Sequence, residues 1–157
     1  MKLYNIPNYG KFEIHNILLD LNGTITAFGN IPADLRYLIQ EMKKHFEIYV
    51  ISANTRDTLD EIAEELDIKA IHIPKSKAES QSKLTSLRVL DPDQTIVIGN
   101  GNNDTEIITQ AAIGISVIGK EGTSIQALIS SDMVVQSLSD AFKILLDEKA
   151  LIATLRK

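Results

Sequence analysis

The chain is punctuated by short runs of branched apolar residues at 13–20 (EIHNILLD), 46–52 (FEIYVIS), 68–73 (IKAIHI), 95–99 (TIVIG), 113–118 (IGISVI) and 132–135 (DMVV). Runs of this length, rich in Ile and Val, predict buried strands. Between them stand segments with helical spacing. Leu35, Leu38, Ile39 and Met42, and then Leu59, Ile62, Ala63 and Leu66, fall at i, i+3, i+4 and i+7, and Leu138, Ala141, Phe142 and Leu145 form a similar core-facing stripe. Parallel neighbours need crossovers that cover the sheet, so this alternation predicts a doubly wound, three-layer α/β fold with a mainly parallel sheet. Residues 1–6 precede Asn8-Tyr9-Gly10 and the 13–20 run, which predicts an added N-terminal antiparallel strand reached through a turn. No linker or repeat interrupts the pattern, and residues 1–157 are expected to form one domain.

Composition narrows the chemistry more than the fold. With 16 Lys and Arg against 21 Asp and Glu, the net charge of -5 provides no electrostatic footprint for nucleic acid or an anionic membrane. Any anion must be held locally. The absence of cysteine excludes disulfides, thiolate metal sites and a thiol nucleophile, and three scattered histidines do not suggest zinc. No apolar run approaches the roughly 18 residues that span a bilayer, and the N-terminus lacks a signal-peptide core, so a cytoplasmic location is expected.

Doubly wound folds bind ligands outside the carboxyl ends of their strands, so the residues there carry the functional signal. Asp20-Leu21-Asn22-Gly23-Thr24 follows the first core run, Ser52-Ala53-Asn54-Thr55 the second, and Gly99-Asn100-Gly101-Asn102-Asn103-Asp104 the fourth. Lys83 is expected to open the helix leading into that fourth strand. After Asp20, residues 21–32 carry Gly23, Gly29 and Asn30 and read as a shaped loop or small hairpin before Pro32 opens a helix. Taken singly, each group has an ordinary structural alternative. Asp20 with Asn22-Gly23 fits an Asx-type turn, Ser52 a strand-end hydroxyl, Lys83 a solvated lysine with Lys77 as its rival, and Asp104 a helix cap. Asn54 and Thr55 read as the cap of a helix from Arg56. Residues 114–120 (GISVIGK) have the spacing of a phosphate-binding loop, but Glu121 stands where its Ser or Thr belongs and the segment reads as a buried strand.

Taken in order, Asp-x-x-Gly-Thr, strand-Ser, Lys and Gly-x-Gly-x-Asn-Asp resemble the four motifs of the haloacid-dehalogenase superfamily. The run at 96–117 looks like the hinge segment of P-type ATPases, and the chain is similar to soluble proteins described as P-type-ATPase-like. The resemblance implies that Asp20 is a nucleophile that accepts a phosphoryl group from a phosphorylated small molecule or nucleotide. It implies Mg2+ held by Asp20, the backbone carbonyl of Asn22, Asn100 and Asp104. Gly23, Thr24, Ser52, Ala53, Lys83 and Asn103 would hold the phosphate, with Lys83 also restraining Asp20.

Two departures qualify that expectation. Phosphatases of the superfamily usually carry a second Asp two residues after the nucleophile as general acid and base, whereas Asn22 cannot transfer a proton. The loss of roughly 10²–10⁴-fold of general acid help implies slow hydrolysis or a preference for good leaving groups. Asn100 likewise replaces a usual Asp, which implies weaker metal binding. These amides support an alternative expectation, a phosphate- or nucleotide-binding regulatory module with little turnover. The gaps between motifs leave no room for an inserted cap domain. An open site of this kind implies a macromolecular substrate, low selectivity, or a lid from a second copy of the chain, and a homo-oligomer is expected on that ground.

Overall fold

The core apolar runs form the strands of one sheet and are buried along most of their length, as strands covered on both faces must be. The computed structural model describes residues 1–53 and 56–157, so the cap expected from Asn54 and Thr55 lies outside the described residues. Strands β3 (Asn16–Asp20), β4 (Glu47–Ser52), β5 (Lys69–His72), β6 (Thr95–Gly99), β7 (Ile113–Val117) and β8 (Met133–Val135) form a six-stranded sheet in the order β5-β4-β3-β6-β7-β8. Every neighbouring pair is parallel. Successive side chains of a strand point to opposite faces. Accordingly Ile17 and Leu19 of β3, with Ile96 and Ile98 of β6, belong to one apolar cluster, while Leu18 and Val97 belong to the other.

The first cluster is covered by α1 (Leu35–Lys43), α2 (Arg56–Leu66), α6 (Leu138–Leu146) and α7 (Glu148–Leu155). The second is covered by α3 (Glu79–Val89), α4 (Thr105–Gln110) and α5 (Ile125–Ser130). The predicted stripes fall where expected, since Leu35, Leu38, Ile39 and Met42 of α1 and Leu138, Ala141, Phe142 and Leu145 of α6 are all buried. The 113–118 run is the buried strand β7, all five of whose residues are inaccessible, which rules out a phosphate-cradling loop there.

The expected N-terminal antiparallel strand is present, but it is reached differently. The 13–20 run is two strands, because β2 (Gly10–Ile14) ends before His15, whose amide turns to the Gln94 carbonyl at 2.9 Å, and β3 begins at Asn16. β1 (Lys2–Ile6) pairs with β2 in a separate antiparallel ribbon instead of lengthening the main sheet. Burial explains the choice: Tyr4, Ile6 and Ile14 insert into the first cluster, and the Tyr4 hydroxyl donates to the Leu145 carbonyl at 2.7 Å. Pro32 does not open a helix. It precedes a turn, and α1 begins at Leu35 behind Asp34. α3 begins at Glu79, one turn ahead of Lys83, so that lysine sits inside the helix. Among the described residues no helix is long and apolar enough to cross a membrane.

Leu19 is fully buried in the central strand, next to the residue that the whole sheet presents at its carboxyl edge. Leu19→Ala should cost about 2–5 kcal/mol by the transfer and cavity terms together. Denaturant unfolding would show this as a lower midpoint with an unchanged slope.

Candidate active site

Strand order reverses beside β3: the chain leaves it for β4 and β5 on one side, then returns through β6 on the other. Carboxyl ends diverge at such a switch point and leave a crevice. Asp20 ends β3 there, Ser52 ends β4, and Gly99 ends β6. The order of the elements therefore gathers three groups that are far apart in sequence.

Lys83 joins them from α3. Its position lies on the same buried face as Leu84 and Leu87, and the lysine itself is 1% exposed. A buried ammonium needs paired anions. It has two, donating to Asp20 Oδ1 and Asp104 Oδ1 at 2.6 Å each. Asp104 is completely buried, and its Oδ2 accepts the backbone N–H of Asn100 at 3.1 Å and of Gly101 at 2.9 Å. That carboxylate reaches the end of β6 because Gly99 has no side chain; an added Cβ would stand 2.6 Å from Asp104 Oδ2.

Two carboxylates thus share one ammonium out of water. Burial, followed by the charge of Asp104, pushes the Asp20 carboxyl up from 3.8 to about 7, against the opposing pull of Lys83. Burial alone would lower the Lys83 ammonium, but the Asp20 and Asp104 carboxylates and their hydrogen bonds outweigh it and raise it. When both carboxyls are ionised, the triad carries one negative charge in excess.

The loop after Asp20 folds back on itself. The amides of Ile25 and Thr26 donate to the Leu21 carbonyl at 3.0 and 3.1 Å, and the Gly23 amide donates to the Thr26 carbonyl at 2.8 Å. Gly23 is required on two counts: its φ is +79°, and an added Cβ would meet Asn100 Nδ2 at 2.2 Å. Asn100 in turn donates from Nδ2 to the Gly122 carbonyl at 3.0 Å. Thr24 is buried, and its hydroxyl has no hydrogen-bond partner among the described residues.

A cleft of about 370 Å³ opens at this point, lined by Asp20, Asn22, Ser52, Ala53, Lys83 and Asn100 together with Gly101, Asn103, Lys75 and Glu79. It brings together eight of the residues expected from sequence or their immediate neighbours, but Gly23 and Thr24 border a different cleft, alongside Ser137 and Lys143. Asp104, expected among metal ligands, is also absent from the lining; both its oxygens are engaged by Lys83 and by backbone amides. Two lining residues were not foreseen. Glu79 lies four residues before Lys83, the spacing that puts two side chains on one helical face, and this was the available signal. Lys75 carries no comparable signal.

Among the described residues no three His, Cys, Asp or Glu side chains cluster as a metal cage. The cleft nevertheless offers oxygen donors from Asp20, Asn22 and Asn100 beside an excess negative charge, a set that suits a hard divalent cation retaining several waters.

A profile of haloacid dehalogenase-like hydrolases matches residues 33–128, more than half of the chain. The chain belongs to this family. The matched span begins beyond Asp20-Leu21-Asn22-Gly23-Thr24, so the reading of that loop rests on its own residues and geometry. Uncharacterized protein MJ0073 of Methanocaldococcus jannaschii is 42% identical over 81 residues, covering 47% of this chain and 87% of that protein. Uncharacterized protein MJ0072 of the same organism is 44% identical over 41 residues, covering 26% and 93%. Among solved structures, the chain resembles 3-deoxy-D-manno-octulosonate 8-phosphate phosphatase from Moraxella catarrhalis, solved with magnesium, phosphate and KDO, with a TM-score of 0.69 at 19% identity over 91% of this chain and 94% of that one. The cobalt-bound form of the corresponding Haemophilus influenzae phosphatase gives a TM-score of 0.71 at 14% identity, over 92% and 94%. Both likenesses support the fold of this hydrolase family.

The raised Asp20 carboxyl has a consequence for stability. Between about pH 4 and about pH 7 the folded chain keeps a proton that the unfolded chain has released. The associated stabilisation is complete below 3.8 and is lost as pH rises through about 7. In chelator, Asp20→Asn should therefore gain on the wild type by several degrees in Tm between about pH 5 and about pH 8. A difference in Tm that stays constant over that range would show that the triad does not strain Asp20.

Proposed function

We propose that the chain is a magnesium-dependent phosphohydrolase of one domain that works through a phospho-Asp20 intermediate. The observation that carries this reading is the arrangement of Asp20 itself: one carboxylate oxygen is pinned by Lys83 while the residue lines a polar cleft at the switch point of the sheet. A pinned carboxylate has a fixed orientation, which is what an attacking oxygen requires.

Asp20 attacks phosphorus with its second oxygen, and the bond from phosphorus to the leaving-group oxygen breaks. Lys83 keeps Asp20 in place and offsets charge that accumulates as the phosphoryl group approaches. Ser52, which lines the same cleft, donates a hydrogen bond to a phosphoryl oxygen. Asp104 serves by holding Lys83, not by reaching the substrate. Mg2+ would be held by Asp20, the backbone carbonyl of Asn22 and the amide oxygen of Asn100, and when bound it supplies the positive charge that lets a carboxylate meet a phosphate. Water then attacks phospho-Asp20 and releases inorganic phosphate.

Asn22 sets the pace. Its amide cannot protonate the leaving oxygen or deprotonate the second water, so both protons exchange with solvent. The resemblance to P-type ATPases, which have Thr at this position and accumulate their phosphoenzyme, supports a long-lived phospho-Asp20. The named activity of the structural neighbours, phosphatase action on a phosphorylated small molecule, supports hydrolysis as the net reaction. The paired amides Asn22 and Asn100 favour a second reading, a phosphate-binding regulatory module of the same fold.

Phosphate release from p-nitrophenyl phosphate, acetyl phosphate and ATP separates the two. Hydrolysis should be lost in chelator and in Asp20→Asn, and Asn22→Asp should raise turnover by about 10–100-fold, part of the usual general-acid contribution. Equal background rates in wild type and Asp20→Asn, with no acid-stable phosphoprotein, would leave the binding module.

A further inference from the structure

We propose that Glu79 determines the leaving group, selecting small polyhydroxylated phosphate monoesters and rejecting polyphosphates. With Asp20 as phosphoryl acceptor, on which the assignment rests, in-line displacement puts the leaving group on the far side of phosphorus from Asp20, towards the cleft mouth. α3 runs in that direction. Lys83 is buried at the floor and Glu79, one turn earlier, is half-buried in the wall; Lys75, before the helix, is exposed at the rim. Four residues of helix rise about 6 Å, a step suited to the spacing between an attacked phosphoryl group and the first hydroxyls beyond it.

The chemistry of this wall is specific. Glu79 Oε2 accepts a hydrogen bond from Asn103 Nδ2 at 3.1 Å, which fixes the carboxylate against the loop that follows β6. Its remaining lone pairs accept from hydroxyl groups. Lys75 on the same lining is exposed and makes no ion pair with Glu79 among the described residues, whereas Asn103 holds the Glu79 carboxylate, so the charge held in place beside a leaving group is negative. A second phosphate at this position would face that carboxylate directly. Among the described lining residues Ala53 is the largest side chain made only of carbon, so the cleft has no platform for a nucleobase or an aryl ring.

Glu79→Gln is the appropriate variant because glutamine preserves the shape and the acceptor for Asn103 while removing the charge. The measurement is kcat and KM for glycerol 3-phosphate and for pyrophosphate with Mg2+, in wild type, Glu79→Gln and Glu79→Asp. A parallel calorimetric titration of both compounds uses Asp20→Asn with and without Glu79→Gln. Removing the charge should shift the preference from glycerol 3-phosphate towards pyrophosphate by about tenfold, mainly through KM, while Glu79→Asp retains most of the wild-type preference. The titration should show the same shift in affinity. Preference and affinity ratios within about twofold of the parent would overturn the assignment. An affinity shift with no turnover in any variant would sustain the Glu79 subsite and remove the phosphohydrolase reading instead.

Discussion

A lysine buried to 1% exposure between two carboxylates is the constraint from which the rest of the site follows. Taking three charged groups out of water is unfavourable unless each is paired at short range and its remaining polar atoms are bonded. The chain meets that demand with elements from three parts of the sequence: β3 brings Asp20, α3 brings Lys83, and the turn after β6 brings Asp104 with two amides on its second oxygen. Displacing α3 would leave an unpaired buried charge, so the lysine fixes the helix as firmly as Leu84 and Leu87 do. Balance remains incomplete, with two acids on one base, and the strain falls on Asp20, the member that borders the cleft. A cation entering the cleft relieves it.

Asn100 shows how the same region trades metal affinity for order between loops. Its Nδ2 donates to Gly122, its carbonyl accepts the Ser124 amide at 2.8 Å and the Thr123 hydroxyl at 3.1 Å, and its side chain packs where Gly23 lacks a Cβ. An aspartate here would lose the donor and set a carboxylate against the Gly122 carbonyl. Asn100 therefore ties the loop after β6 to the loop after β7 beside Gly23, and on the proposed function its side-chain oxygen would be a weaker donor for Mg2+ than a carboxylate. Substitution of a usual ligand has in this case a structural compensation.

The sheet was largely legible because strands buried on both faces must be continuous apolar runs, and each core run from 46 onward lies within two residues of an observed strand edge. The N-terminal ribbon was less so. A single residue, His15, separates β2 from β3, and no periodicity distinguishes a strand that joins the sheet from one that packs Tyr4 and Ile6 beneath α6. Lys83 could be picked out by order and spacing, yet its helix began a turn earlier than read, because Ser80, Gln81 and Ser82 give the segment no apolar stripe. Asp104 looked like a ligand since sequence gives a residue's type and not its neighbours; only the packing reveals that its oxygens are already engaged. Glu79 passed unnoticed for a related reason, as an acid in the first turn of a helix is ordinary on the surface and favoured by the helix dipole.

Among the described residues, the interval from Asp20 to Ser52 holds the loop at 21–34, α1 and β4, and that from Ser52 to Lys83 holds α2, β5 and the start of α3. No inserted domain covers the cleft, so discrimination must come from side chains already on its walls. On the proposed function, Asn22 offers the leaving group no proton donor, which favours substrates that depart readily, and the Glu79 carboxylate held by Asn103 opposes the polyphosphates that are among the best of these. On the proposed function, their combined effect would be a site that selects by the shape and hydrogen bonding of a neutral leaving group and turns it over slowly. In this reading selectivity and slowness come from two residues of one cleft, Glu79 on α3 and Asn22 on the loop after β3, and neither requires a moving lid.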